Sequence, residues 1–318
     1  MGAMQRICAI FTHYGSRERT LTGLRRLAAQ TRKLDFILVV NNNSEDDPTL
    51  PAARQFAETA LPPGTLHILQ MPANLGNAGG CAYGMEHAFR ELQVDAVWVL
   101  DDDSWPRPLT LEKLLEPDVE DDVVRACLVV DPSKGDELSW PLTIETGSTE
   151  RPWKNVVASV DLPAGNEIPC RGCWLGALYP RAAWMRVGVP TPELFIRGED
   201  EEYPWKVRHA GFRFVTIRDS ELEHPSSRIP LIHYTHGQYS FFYEPAMHES
   251  RQYYKIRNWA WLQRLKTPRC YVRRFAACMF YALLSVQAML QTHELSFRRL
   301  YTLFRALHNG FYGKLAPF

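Results

Sequence analysis

Three consecutive carboxylates, Asp101, Asp102 and Asp103, follow the apolar run Val97-Trp98-Val99-Leu100 and precede Ser104-Trp105-Pro106. The run has strand composition, and the proline stops the strand from continuing. Like charges this close repel unless a cation neutralises them. Alternation along an extended chain would aim Asp101 and Asp103 one way and Asp102 the other. Such a pair of hard oxygen ligands suits Mg²⁺ or Mn²⁺ carrying phosphates. A solvated acidic turn is the competing reading. A second acidic cluster, Glu199-Asp200-Glu201-Glu202, lies a hundred residues later. Asp200 or Glu199 in a cleft could act as a general base, although a helix start also favours acids. His224, and the pair His233 and His236, are candidates for a third metal ligand.

Apolar runs place these groups on a common frame. Residues 6–12, 36–40, 65–71 and 96–100 read as strands, separated by helical patterns at 16–32, 52–60 and 78–92. Strand and helix in alternation with short connections predict an α/β fold with a parallel sheet and right-handed crossovers. Ligands bind such sheets beyond the carboxyl ends of the strands. Thr12 and His13, the run Asn41–Asp47 with Asn41 and Asn43, the loop Asn74–Gly80 and the aspartates all fall at that edge. Gly76, Gly79 and Gly80, with Asn77 among them, offer backbone N–H groups and room for a phosphate to approach. They would equally permit a tight turn, and their spacing matches neither GxGxxG nor a P-loop. Residues 109–115 predict a short helix, 123–130 a strand and 131–155 an irregular loop or small subdomain. In Arg171-Gly-Cys-Trp-Leu-Gly-Ala-Leu-Tyr-Pro180, Trp174 is either a platform for a sugar ring or a core residue. Trp205, Val207 and Ala210 suggest a short helix leading into a strand at 212–217.

The chain has 318 residues, 46% apolar and 23% charged, and zero formal net charge. These values describe a folded soluble protein with one large domain and room for an appendage. The charge is unevenly spread: from Arg251 onward there are twelve Lys or Arg and a single acid, Glu294. Seven scattered cysteines include one CxxC, Cys170 and Cys173, with no second pair to complete a zinc site. Thiols in a reducing cytosol account for them, and no signal peptide is visible.

Several stretches together resemble the family 2 glycosyltransferases of the GT-A fold. They are VVNNNSEDD at 39–47, NLGNAGGCAYGM at 74–85, WVLDDDSWP at 98–106, the tryptophan stretch at 171–180, FIRGEDEEYPWKVRHAGF at 195–212, YYKIRN at 253–258 and HNGFYGKL at 308–315. Within that family the chain is most similar to bacterial galactofuranosyltransferases and rhamnosyltransferases of polysaccharide assembly. The resemblance implies a metal-dependent inverting transferase that takes a sugar from a UDP-galactofuranose or dTDP-rhamnose type donor to a glycan or polyprenyl-linked acceptor. It implies that Asp101 and Asp103 hold Mn²⁺ or Mg²⁺ and the donor diphosphate, with His224 as a metal-binding histidine and Asp102 beside the nucleotide. Asp200 falls on the catalytic base, with Glu199 its neighbour. Trp174 falls near acceptor-site tryptophans, and Glu202 is assigned to the same acceptor side. Two positions depart from the pattern. Val40-Asn41-Asn42 stands in place of the usual VDN, and Gly198 in place of a tryptophan. A sugar nucleotidyltransferase shares part of this fold but not its glycine-rich signature, and a non-catalytic glycan-binding protein is a further alternative.

The composition changes near residue 241, which divides the expected catalytic domain (1–240) from a basic, aromatic helical region (241–318). Residues 251–265 and the apolar run Phe275–Leu290 predict helices. Sixteen residues are short for a span, which needs about 20. With Arg269, Arg273 and Arg274 beside it, the second helix is expected to lie against an anionic membrane surface at the cytoplasmic face. A contact between copies of the chain, or core packing, is the alternative. No motif supports nucleic-acid binding.

Overall fold

The computed structural model describes residues 6–116, 120–135, 137–226, 232–236 and 239–318. They divide into two compact units, one of residues up to Pro192 with Asp200–Ser226, the other of Glu193–Glu199 with the chain from Ser227.

The first unit opens with β1 (Ile7–His13), α1 (Arg17–Ala28), β2 (Phe36–Asn41), α2 (Thr49–Ala60), β3 (Leu66–Gln70), α3 (Gly76–Arg90) and β4 (Ala96–Val99). It continues through β5 (Trp105–Pro106), α4 (Thr110–Leu115), β6 (Val123–Val130), β7 (Glu137–Glu145), β8 (Trp153–Ala158), β9 (Glu167–Pro169), β10 (Ala177–Pro180), α5 (Arg181–Val187), α6 (Glu199–His209) and β11 (Arg213–Glu223). The main sheet runs β3-β2-β1-β4-β10-β6-β11-β5. β1, β2, β3 and β4 pair in parallel, as the alternating pattern predicts, while β10 runs antiparallel between β4 and β6. Alternate strand residues feed two cores. Ile10, Leu38, Val40, Val97 and Val99 meet Met85, Ala88 and Phe89 of α3. Ala9, Phe11, Ile37, Val39 and Trp98 meet Leu24 and Leu27 of α1. Burial on both faces explains why these strands read as unbroken apolar runs.

The stretch 131–155, expected to be a loop or a small subdomain, holds regular strand structure. It contributes β7 and the start of β8, antiparallel to each other, with a register shift between Glu137 and Leu142. Pro141 lies inside that irregularity, where a missing N–H costs no ladder bond. β11 also extends six residues beyond the expected strand end through a bulge between Ile217 and Glu221.

The second unit holds β12 (Ile232–His236), β13 (Tyr239–Tyr243), α7 (Glu249–Lys266), α8 (Tyr271–Gln291) and α9 (Phe297–Phe311). It begins before residue 241 because the β12–β13 hairpin joins the helices' core, with Phe241 edge-on to Tyr281 at 4.9 Å. Gly310 of α9 lets two helices touch: a Cβ there would fall 2.7 Å from Ala260 Cβ on α7. Among the described residues no helix is long and apolar enough to cross a membrane.

Candidate active site

The three aspartates reach the sheet edge on a turn rather than on extended strand. The Ser104 hydroxyl donates to the Asp101 carbonyl and accepts from the Asp101 N–H, both at 2.9 Å. The turn, not strand alternation, brings Asp101 and Asp103 together. His224 arrives from the end of β11, and its Nε2 lies 3.1 Å from Asp103 Oδ1. One ligand atom each from Asp101, Asp103 and His224 falls within 4.8 Å of the others.

The electrostatics of this cluster are unfavourable without a cation. Burial pushes Asp101 up to about 6, reinforced by the charges of Asp103 and Asp200 and opposed by His224. Burial likewise pushes Asp102 up to about 7, with Asp103 adding to it and Arg19 opposing. Asp103 alone moves down: burial raises it, but the His224 hydrogen bond, the His224 charge and Arg19 outweigh that. Two hard carboxylates and an imidazole, crowded until two acids resist ionisation, fit a divalent cation of the Mg²⁺ or Mn²⁺ kind. The Nδ1 of His224 is buried with no hydrogen-bond partner among the described residues, while Trp140 packs over the ring at 4.3 Å. Of the pair further along, His233 stacks on Phe242 at 4.3 Å. The side chain of His236 lies outside the described residues.

The remaining edge residues form a connected scaffold. Thr12 Oγ1 donates to Asn77 Oδ1 at 2.7 Å, and Asn77 Nδ2 reaches Asp101 Oδ1 at 3.5 Å. Asn41 and His13 are both fully buried. Asn41 donates to the Ser44 carbonyl and to Gln70 Oε1, and His13 Nδ1 lies 2.7 Å from Thr20 Oγ1. Asn43 donates to Asp47 Oδ2 at 2.7 Å. These side chains shape the loop after β2 instead of facing solvent. The glycines serve close packing as well as the turn. Gly76 has φ of +68°, a Cβ on Gly79 would fall 2.6 Å from Leu75 Cβ, and one on Gly80 would overlap Thr12.

Two acceptor-side expectations are corrected. Trp174 is 6% exposed and packs against Tyr179 and Tyr203, so it is core and not an open platform. Glu202 is fully buried, accepting from Thr191 Oγ1 and paired with Lys206 Nζ, both at 2.8 Å. Its carboxylate ties down the segment before α6. Of the two candidate bases, Glu199 is buried and Asp200 is exposed. Gly198 has φ of +102°, and a Cβ there would lie 3.1 Å from Asn258 Cβ, so no side chain fits without strain.

Three participants were missed from sequence. Arg19 of α1 pairs with Asp103 at 3.2 Å. Asn42 donates to the Gly76 carbonyl at 3.0 Å and accepts from the Leu75 N–H, joining β2 to the glycine loop. Asp131 accepts from the backbone N–H and hydroxyl of both Ser133 and Ser226, two residues beyond His224. The asparagine run at 41–43 was a signal for Asn42; nothing in the sequence distinguished Arg19 or Asp131 from the chain's other charged residues.

Comparison with known proteins agrees with this architecture. A family model described as Glycosyl transferase family 2 matches residues 8–177. Galactofuranosyltransferase GlfT1 of Mycolicibacterium smegmatis is 29% identical over 229 residues, 69% of this chain and 70% of that protein. The GlfT1 of Mycobacterium tuberculosis is 31% identical over 212 residues, and the match spans 63% of each chain. S. aureus TarS 1–349 in complex with UDP-GlcNAc superposes with a TM-score of 0.56 at 15% identity, over 96% of this chain and 80% of that one. GalNAc-T7 with UDP, GalNAc and Mn²⁺ gives 0.54 at 13% identity, over 69% and 43%. At those identities the structures speak for the fold, which is that of the GT-A glycosyltransferases. The family model takes in more than half of the residues, and the chain belongs to glycosyl transferase family 2.

Proposed function

We propose that this enzyme is a divalent-metal-dependent, inverting transferase that moves galactofuranose, with rhamnose the next choice, from a nucleotide-diphosphate donor to a hydroxyl of a glycan or lipid-linked glycan. The observation that carries the reading is the gathering of Asp101, Asp103 and His224 at one point, with the charge of Asp200 felt at Asp101. The donor sugar follows the curated relatives, which are galactofuranosyltransferases. In this reading Asp101, Asp103 and His224 hold Mn²⁺ or Mg²⁺. When bound, the ion supplies Lewis-acid neutralisation of the charge that grows on the departing diphosphate. The start of α3 and the Gly76–Gly80 turn offer backbone N–H groups to the phosphates. Thr12 and Asn77 hold the Asp101 carboxylate in position. Asp200 takes the proton from the acceptor hydroxyl as its oxygen attacks the anomeric carbon, a contribution of roughly 10²–10⁴ in rate. A single displacement inverts the configuration and needs no enzyme nucleophile.

The test is a donor panel with UDP-galactofuranose and dTDP-rhamnose, scored by the nucleotide set free as the sugar passes to a synthetic acceptor. Release with UDP-galactofuranose that stops on chelation supports the reading. Turnover that survives complete metal removal would overturn the cation's role, and turnover retained in Asp200→Asn would overturn the base.

The tail is assigned to an anionic membrane surface at the cytoplasmic face. α8 turns Val272, Phe275, Met279, Leu283 and Leu290 to solvent, with exposures from 48% to 78%. Arg273 and Arg274 stand in its first turn and Arg269 just before its N-cap. That pairing of apolar face and positive charge suits anionic lipid better than neutral lipid. Sedimentation with phosphatidylglycerol vesicles but not with phosphatidylcholine vesicles is expected; equal binding to both, or none, would sink the assignment.

A further inference from the structure

The six residues 193–198 that lead into the acidic helix α6 adopt a conformation they would not keep unaided. Phe195 and Arg197 have φ of 66° and 65°, and Gly198 has 102°. Side chains with a Cβ seldom occupy that left-handed region, so two within three residues require support from elsewhere. The support comes from neighbouring side chains of α7, Arg257 and Asn258, which are 0% and 1% exposed. Asn258 Nδ2 donates to the carbonyls of Leu194 at 2.9 Å, Ile196 at 3.1 Å and Arg197. Its Oδ1 accepts from Arg257 Nε at 2.9 Å and Nη2 at 2.7 Å. Arg257 Nη2 also donates to the carbonyls of Glu193 and Leu194, at 2.7 and 3.0 Å. Its Nη1 reaches the carbonyls of Leu315 and Ala316, at 3.1 and 2.7 Å. The guanidinium also lies over the Tyr254 ring at 4.8 Å.

This arrangement serves more than burial of a cation. Every direction of the guanidinium fork and both ends of the amide are used, and most of the bonds end on one short backbone segment. A fully bonded polar network in a dry setting fixes one geometry and penalises alternatives. The chain passes from Gly198 directly into Glu199 and Asp200, so its entry direction is set at the held carbonyls. We infer that Arg257 and Asn258 are positioning residues for the transfer reaction, acting through the 193–198 backbone on Asp200. The inference rests on Asp200 being the base. It gives YYKIRN and the final residues a task in catalysis rather than in helix packing alone.

The experiment compares kinetics in Asn258→Asp, Asn258→Ala and Arg257→Lys. Asn258→Asp keeps the shape and the acceptor for Arg257, but turns an acceptor toward carbonyls that need a donor. Arg257→Lys keeps the charge and loses the fork. The expected result is a 10- to 100-fold fall in kcat with donor KM within twofold of the parent and the cooperative melt preserved. Because the effect passes through the base, Asp200→Asn/Asn258→Asp should be no slower than Asp200→Asn alone. Losses that multiply in the double variant, or kcat within twofold of the parent in all three single variants, would overturn the inference. Should Asn258→Asp fail to fold, Arg257→Lys decides by the same double-variant comparison. Amide hydrogen exchange at 195–199 separates the two levels of the claim. If Asp200→Asn retains full turnover, the base reading fails, while faster exchange in the Asn258 variants would still locate the clamp. Unchanged exchange there would remove the clamp itself, whatever the activity.

Discussion

Asp101 and Asp131 stand at the same edge of one sheet, just beyond the ends of β4 and β6, and their surroundings are opposite. Asp131 receives two backbone N–H groups and two hydroxyls, which hold its carboxyl well below the usual carboxylate range. Asp101 and Asp102 are pushed the other way, by burial and by the charge of Asp103. Residue type alone does not separate the two cases. What separates them is whether donors have been supplied to the negative charge. A carboxylate supplied with donors serves stability, and a crowded cluster with few of them is the kind of place proposed here to take a cation.

The contrast is sharpest in activity. Asp101→Asn should lower transfer by at least about 10²-fold, because a ligand of the proposed cation is lost. The same variant should melt no lower than the parent in the absence of cation; a drop in its melting temperature would erase the distinction. Next in size, Asp131→Ala leaves two serine N–H groups and two hydroxyls without their acceptor, and should cost about 2–3 kcal/mol in urea unfolding. Asp102→Asn should do the reverse, stabilising the cation-free protein by about 1 kcal/mol at neutral pH.

The smallest expected effect is on pH dependence, and its sign differs between the two sites. The folded-state pKa of Asp131 is lowered, so its contribution is complete above the unfolded value near about 4 and fades as pH falls below it. The stability gap between parent and Asp131→Asn should therefore narrow in acid. The folded-state values of Asp101 and Asp102 are raised to about 6 and about 7. Their ionised forms burden the fold at high pH, and cation-free stability should improve as pH falls through that window before the Asp131 contribution is lost. For the same reason, Mn²⁺ binding near pH 6.5 should release protons, measured by calorimetry in buffers of different ionisation enthalpy. Proton-neutral binding would break the comparison at its base.

Much of the first unit was legible because its information is local. Phe36–Val40 and Val123–Val130 read as strands from composition alone, and Ser16 signalled the start of α1 by capping the Arg19 N–H. The helix expected to reach residue 32 stops at Ala28, a boundary that periodicity locates only within a few residues. In the second unit α9 went unread, although Leu303, Ala306 and Leu307 recur at helical spacing and are buried. Its arginines and solvent-facing aromatics, Phe297, Tyr301 and Phe304, blurred the pattern. Trp174 and Glu202 show the other kind of failure. An aromatic ring or a carboxylate in a promising motif carries no mark of whether its outer face is covered.

The sequence by itself determined the parallel sheet, the placing of the aspartates at a strand's carboxyl end and membership of the family, since each depends on residues near one another or on motifs in order. The meeting of His224 with Asp103 across 121 residues was implied only by the resemblance, and tertiary structure alone decided that Asp131 secures Ser226 and that Asn258 holds the carbonyls leading to Asp200. Periodicity reports which face of an element is buried. It does not report which distant element buries it, and the contacts between such elements are the ones that build this site.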